Sequence, residues 1–359
     1  MLLQGIFPPI TTPFYPDSNV YFKKLESNVE RYSRTPCAGI VVLGSTGEAI
    51  LLSDQERRDV LKSARDAAAP NKVLIAGTGV ESATETLRLT EYAAELSYDI
   101  AMVRTPHYYK KQMHPANLLA FFRTVADRSP LPVIIYNFPQ ATGYDIPAEL
   151  VIELAEHPNL IGIKESGGDV EKVRRMVEGT GHVKQSATVT ETFEAVTPRM
   201  MATAASSSNG EGGGELVQVA GLSGSTVEKP SSGAVTVVGK MKTRQKEVGF
   251  QVMVGAADKL HASLEAGAVG AILAFACIAP TSCYEIYTAW KEGDAELARL
   301  KQERIAGSSQ RVVGEFGIPG VKYGMDLNGY FGGPARLPLL PLGGKDKSEL
   351  DRLLSDIKH

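Results

Sequence analysis

Three short motifs carry residue types suited to carbonyl chemistry. Lys164 closes an apolar run in Leu160-Ile161-Gly162-Ile163-Lys164-Glu165-Ser166-Gly167-Gly168. Apolar residues lead into an amine and a glycine turn follows, the pattern of a buried strand ending in a lysine. Such a lysine must be neutral or paired, and the neutral amine is the form that adds to a carbonyl to make a Schiff base. The competing reading is a strand-end lysine that carries its amine out to water. The second motif is Tyr136-Asn137-Phe138-Pro139. A phenol held by its neighbours can move protons; alone, a buried structural tyrosine explains it as well. The third is Gly44-Ser45-Thr46-Gly47-Glu48. Its glycines allow a ligand close to the backbone, and its amides and two hydroxyls can donate to a carboxylate. An ordinary Gly/Ser turn is the plainer account of that motif.

Strands must deliver these residues to one place. Short Val/Ile-rich runs recur at Ile6–Ile10, Gly39–Leu43, Val73–Ala76, Ile100–Val103, Val133–Tyr136, Leu160–Lys164, Phe250–Val254 and Val269–Leu273. They lack strict alternation, as parallel strands covered on both faces do. Helical patterns lie between them, as in Asp54–Ala68, which Ser53 or Asp54 can cap, and Ser82–Leu96. Alternating strands and helices predict an α/β fold. Eight strand candidates predict a closed (β/α)8 barrel over residues 1–279, with its active site at the C-terminal strand ends. All three motifs fall there. Residues 280–359 read as a helical extension without strands. Residues 184–248, between the sixth and seventh strands, are rich in Gly, Ser, Thr and Val. They read as a low-complexity insertion forming a loose loop. The alternative is a small β-rich unit with Leu216–Val219 and Ala234–Val238 as a hairpin. Beginning in the region of the site, the insertion counts mildly for a chain that binds without catalysing.

Composition narrows the classes of function. Hydrophobic residues at 43% and charged residues at 22% are ordinary for a globular chain. A net charge of −3 gives no reason to expect nucleic acid or an acidic membrane surface as partner. Cys37, Cys277 and Cys283 are too widely spaced for a thiolate metal site, and the six histidines form no ligand-spaced pair. No apolar run is long enough to span a membrane. The N-terminus carries no basic leader, so a cytoplasmic location is expected.

The three motifs together, in this order, resemble the dihydrodipicolinate synthase / N-acetylneuraminate lyase family of class I aldolases. Its marks are a GxTGE-type loop, a YNxP-like tyrosine and a GIKE-like lysine strand. The resemblance covers nearly the whole chain outside the insertion. It implies a TIM barrel with a C-terminal helical extension, assembled as a dimer or tetramer, without cofactor or metal. By the same resemblance Lys164 forms the Schiff base with pyruvate and Tyr136 shuttles the proton. Ser45 and Thr46 bind the pyruvate carboxylate, and Thr46 continues the relay. Ser166, Gly255 and Ile272 line the pocket. Tyr109, or its neighbour Tyr108, completes the relay across a subunit interface. One position departs from the family pattern. Lysine-pathway synthases carry an arginine two residues after the proline of YNxP, and here Ala141 stands there. Without that carboxylate partner, aspartate semialdehyde is disfavoured as substrate, unless Lys110 or Lys111 replaces it. His157-Pro158-Asn159, Gly167-Gly168-Asp169-Val170, Phe316-Gly317-Ile318-Pro319-Gly320 and Gly332-Gly333-Pro334 look most like 4-hydroxy-2-oxoglutarate aldolase. The expected activity is cleavage of a 4-hydroxy-2-keto acid, 4-hydroxy-2-oxoglutarate-like or 3-deoxy-hexulosonate-like, to pyruvate and an aldehyde. Dihydrodipicolinate synthase activity and a non-catalytic keto-acid binder are the alternatives.

Overall fold

The computed structural model describes residues 1–192, 194–206, 236–238 and 241–357. Eleven strands occur among them: β1 (Gly5–Phe7), β2 (Gly39–Val42), β3 (Val73–Gly77), β4 (Ile100–Arg104), β5 (Val133–Asn137), β6 (Leu160–Glu165), β7 (Gln185–Thr190), β8 (Thr236–Val238), β9 (Met241–Val248), β10 (Gln251–Val254) and β11 (Gly270–Ile272). Eight of them form one parallel sheet in the order β1-β11-β10-β6-β5-β4-β3-β2. A parallel bridge between Pro9 and Val41 joins its two ends, supported by Ile10 N–H donating to the Val41 carbonyl at 2.9 Å. The result is the (β/α)8 barrel that the strand pattern predicts, with every expected run present as a strand.

Side-chain parity divides the apolar residues into two layers. Phe7, Val41, Ile75, Met102, Ile134, Met253 and Ile272 pack inside the barrel. The alternate residues, such as Ile40, Leu74, Val103, Ile135 and Ile163, pack outward against the helices. The helix Asp54–Ala67 starts at Ser53, whose hydroxyl accepts from Glu56 N–H while the Glu56 carboxylate accepts from Ser53 N–H. This reciprocal cap satisfies two donors that the first turn leaves over. Pro280–Lys291 follows β11 and packs against β1 in the place of the eighth barrel helix, so the barrel runs past residue 279; Ala295–Ser309, Gly317–Leu327 and Gly344–Leu353 are helices beyond it. All three cysteines are free and buried.

The stretch from 184 to 248 departs from a loose loop where it is described. β7 and β9 pair antiparallel from Gln185↔Val248 to Thr190↔Thr243, and β8 pairs with the other edge of β9. The helix Pro198–Ser206 lies between β7 and β8 in the chain. Of the hairpin considered from sequence, Leu216–Val219 lies outside the described residues, whereas Thr236–Val238 is a strand. Burial explains the order: Ala187 and Val189 pack on Leu2, and Met200 joins the interior cluster with Leu3 and Ile161. The stretch follows the helix Val170–Gly179, so it departs from the N-terminal face of the barrel. Gln185 Nε2 donates to the Leu160 carbonyl at 3.2 Å, and Arg199 lies 3.4 Å from Asp99, just before β4. Active sites of such barrels occupy the opposite face. The insertion therefore gives no support to loss of catalysis.

The C-terminal region grips the face of the barrel at the C-terminal ends of the strands. The Arg336 guanidinium donates to both oxygens of Glu56, at 2.7 and 3.0 Å. These bonds, with burial opposing, hold the Glu56 carboxyl down at about 2 from 4.5. A depressed carboxylate stabilises the fold above its ordinary pKa, and the contribution is lost as pH falls through the folded value. Glu56→Gln should lower Tm by about 1–2 °C at pH 7, a modest effect for a part-exposed pair. The gap to the parent should close as pH falls from about 4.5 to about 2, which thermal melts across that range will show.

Candidate active site

Parallel pairing delivers the central residues. Tyr136 on β5 is in register with Lys164 on β6. Both face the barrel interior near its C-terminal end, each only 4% exposed. The Lys164 amine stands 4.1 Å from the centroid of the Tyr136 ring. The next residue, Glu165, points to the opposite face and pairs with buried Lys172 at 3.0 Å. Asn137 donates to both oxygens of Glu165, and Gly167 N–H donates to it at 2.6 Å. This carboxylate holds the turn after Lys164 in place and leaves the amine to the interior.

The Tyr136 hydroxyl lies 3.2 Å from Ser45 Oγ. Ser45 opens a single 3-10 turn, Ser45–Gly47, between two left-handed residues, Leu43 (φ 62°) and Glu48 (φ 54°). Neither residue is a glycine, so the backbone is strained here and tertiary contacts must hold it. Thr12 donates to the Gly47 carbonyl at 2.6 Å. Glu48 is fully buried and clamped from the C-terminal region. Lys322 Nζ lies 2.5 Å from one oxygen, and Arg336 N–H donates to the other at 2.7 Å. Lys322 Nζ also donates to the carbonyls of Thr12 and Pro334. Burial lowers the Lys322 pKa against the pull of Glu48.

The remaining expected residues divide. Ser166 and Gly255 meet at the ends of β6 and β10: a Cβ on Gly255 would lie 1.9 Å from Ser166 Oγ, so only glycine fits. Gly255 N–H donates to the Glu165 carbonyl at 2.8 Å. Ile272 is buried in the interior cluster with Tyr136, and Thr46 is buried beside Ser45. Tyr109 is 64% exposed and packs against exposed Tyr108, with ring centroids 5.2 Å apart. One chain does not bring either tyrosine to Tyr136. Lys110, also exposed, places its amine 3.2 Å from where a Gly143 Cβ would be, beside the short helix Pro139–Thr142 that carries Ala141.

A cavity of about 380 Å³ opens beside this group, lined by Ser45, Tyr136 and Ala141 and by a basic wall of Arg57, Arg104 and His107. Sequence reasoning missed that wall. The expected strand ended at Val103, one residue before Arg104, yet parity with Ile100 and Met102 would have marked Arg104 as inward-facing. Burial, then Arg104, lowers the His107 pKa. Among the described residues, no three His, Cys, Asp or Glu side chains gather as a metal site, and no helix is long and apolar enough to cross a membrane.

Comparison with known proteins fits this arrangement. Fold and sequence together define a carbon–carbon lyase of the class I aldolase type. The chain belongs to the dihydrodipicolinate synthetase family, whose model matches residues 2–209 and 216–357. A 4-hydroxy-tetrahydrodipicolinate synthase of Methanothrix thermoacetophila is 26% identical over 354 residues, 99% of this chain and 97% of that protein. A probable mitochondrial 4-hydroxy-2-oxoglutarate aldolase of Emericella nidulans is 38% identical over 185 residues, 50% of this chain and 60% of the relative. Among solved structures, the chloride-inhibited dihydrodipicolinate synthase of Acinetobacter baumannii complexed with pyruvate superposes with a TM-score of 0.76 at 26% identity, covering 99% of both chains.

The Glu48 clamp makes a measurable prediction. Lys322→Met leaves a buried carboxylate without its counter-charge, which costs about 3–5 kcal/mol. Equilibrium unfolding should show that loss. KM for the substrate should rise as well if Ser45 and Thr46 bind it, because Glu48 anchors the turn that carries them.

Proposed function

We propose that the chain is a Schiff-base-forming, pyruvate-dependent aldolase that cleaves a 4-hydroxy-2-keto acid. The observation that carries this reading is the buried Lys164 amine against the Tyr136 ring, with Ser45 at the phenol. In the proposed cycle, neutral Lys164 adds to the C2 carbonyl and water leaves, forming a protonated imine. Tyr136 takes the proton of the C4 hydroxyl as the C3–C4 bond breaks. The bonding pair moves into the iminium, giving an enamine, and the C4 fragment departs as an aldehyde. C3 is then protonated, and water hydrolyses the imine to release pyruvate and free the lysine. Ser45 and Thr46 hold the C1 carboxylate on their turn, and Thr46 extends the proton path. Ser166, Gly255 and Ile272 shape the imine pocket. The paired, exposed Tyr108 and Tyr109 suit contact with a second copy of the chain, where Tyr109 would complete the relay.

The names of relatives support two substrates. The Methanothrix protein is named a 4-hydroxy-tetrahydrodipicolinate synthase, and the Emericella protein a probable 4-hydroxy-2-oxoglutarate aldolase. Ala141 favours cleavage, because it lines the cavity with a methyl group where the synthases use a guanidinium. A non-catalytic binder has less support, since the insertion leaves from the far face of the barrel.

Pyruvate with borohydride should add one covalent mass, and peptide analysis should place it on Lys164. Lys164→Arg should lose both adduct and turnover, because a guanidinium stays protonated. A folded protein unmodified under saturating pyruvate would refute the mechanism. A lost charge-assisted hydrogen bond is worth about 1.5–3 kcal/mol. Condensation of pyruvate with aspartate semialdehyde should therefore run at least about tenfold below cleavage of 4-hydroxy-2-oxoglutarate or a 3-deoxy-hexulosonate in kcat/KM. A coupled assay of the three reactions checks the order.

A further inference from the structure

Arg104 is a cation on the inner face of the barrel. Ile100 and Met102, the residues of matching parity on β4, belong to the interior cluster. Strand pairing sets Arg104 in register with Tyr136, and Tyr136 in register with Lys164. Adjacent strands lie about 4.8 Å apart, so roughly 10 Å separates the Arg104 and Lys164 backbones across the barrel wall. Arg104 and Tyr136 line the same cavity, and the Lys164 amine stands 4.1 Å from the centroid of that Tyr136 ring.

The position is built to carry a long side chain. Gly79 lies against β4, where a Cβ would come within 2.3 Å of Arg104 N and 3.1 Å of Arg104 Cγ. Any larger residue at 79 would push Arg104 aside. The Arg104 hydrogen bonds run through Nη1 alone, to Glu81 at 3.0 Å, to His107 Nδ1 at 2.6 Å and to its neighbour's carbonyl at 3.4 Å. Nε and Nη2 make no hydrogen bond among the described residues, and Arg104 lines the cavity. Glu81 is partly spent elsewhere, accepting from the backbone N–H groups of His107 and Tyr108. Arg57 adds a second guanidinium to the same wall, with its Nε bonded to the Ala49 carbonyl. Ala141, on the same cavity, offers no charge.

We propose that Arg104 binds the second carboxylate of a dicarboxylic 4-hydroxy-2-keto acid, and so selects a C4 fragment that leaves as an anionic aldehyde acid over one that leaves as a neutral polyol. This rests on the aldolase reading above and names its substrate class. A planar fork suits a carboxylate and gains much less from hydroxyl groups. The cation has moved from the β5 loop to the end of β4, so it meets a shorter substrate from a different side.

The test compares kcat/KM for 4-hydroxy-2-oxoglutarate and for a 3-deoxy-hexulosonate in the parent and three variants. The parent should prefer the dicarboxylate. Arg104→Ala should lower that preference about ten- to a hundredfold, the scale of a charge-assisted hydrogen bond, mainly through KM. Arg104→Lys, which keeps charge but loses the fork, should fall between. Glu81→Gln removes the competing carboxylate and should leave the preference unchanged or increase it. If Glu81→Gln reproduces the loss, the pair only shapes the loop and the proposal fails. It also fails if Arg104→Ala slows both substrates equally, or if the parent prefers the hexulosonate. Failure of the parent to trap pyruvate on Lys164 would instead overturn the aldolase reading beneath it.

Discussion

The hydrogen-bonded register of three adjacent strands is the constraint on which the site depends. In β4, β5 and β6, Arg104, Tyr136 and Lys164 are neighbours because the ladders align them. Side chains alternate between the two faces of a strand, so a slip of one residue would send all three out toward the helices. It would bring Val103, Ile135 and Ile163 inward in their place. Packing forbids the slip: those three belong to the outer apolar layer, whereas Met102 and Ile134 fill the interior. The hydrophobic core and the reactive groups are thus positioned by the same parity.

A second layer of control comes from the other end of the chain. The turn that carries Ser45 and Thr46 ends in a left-handed Glu48, a conformation that costs energy for any residue with a side chain. Lys322 and Arg336 supply the compensation, the one through a buried ion pair and the other through its backbone N–H. Breaking such a pair is far more damaging than never having built it. Arg336 also ties down Glu56, the capping residue of the next helix. The C-terminal region therefore sets the geometry of the Ser45–Gly47 turn, formed by the first fifty residues. Ile318 and Leu339, from the same region, complete the cavity wall.

The small antiparallel sheet shows how a poorly patterned stretch can still be ordered at its ends. β9 is mostly polar, with a basic residue at each of Lys242, Arg244 and Lys246, and would have no reason to form a strand alone. Its ladder with β7, and the burial of Ala187 and Val189 on Leu2, supply that reason. The sheet lies on the face of the barrel away from Lys164. The insertion covers one end of the barrel, where it shares a cavity with Tyr284 and Tyr287, and Ile318, Lys322, Arg336 and Leu339 serve the other.

Much of this was present in local sequence. Eight Val/Ile runs, their intervening helices, the Ser53 cap and the motifs at Ser45, Tyr136 and Lys164 are short-range patterns, and hydrophobic period and turn chemistry are enough to read them. What the sequence left open depends on contacts between distant residues. Nothing near Glu48 announces that Lys322 will neutralise it, and nothing near Gln185 announces pairing with Val248. Nor does Arg104 look different from any solvated arginine until β4 is extended by one residue and paired with β5. Local periodicity decides which face a residue takes within its own strand or helix. Only the closed barrel decides which faces meet, because closure sets the register between strands and the cavity they enclose.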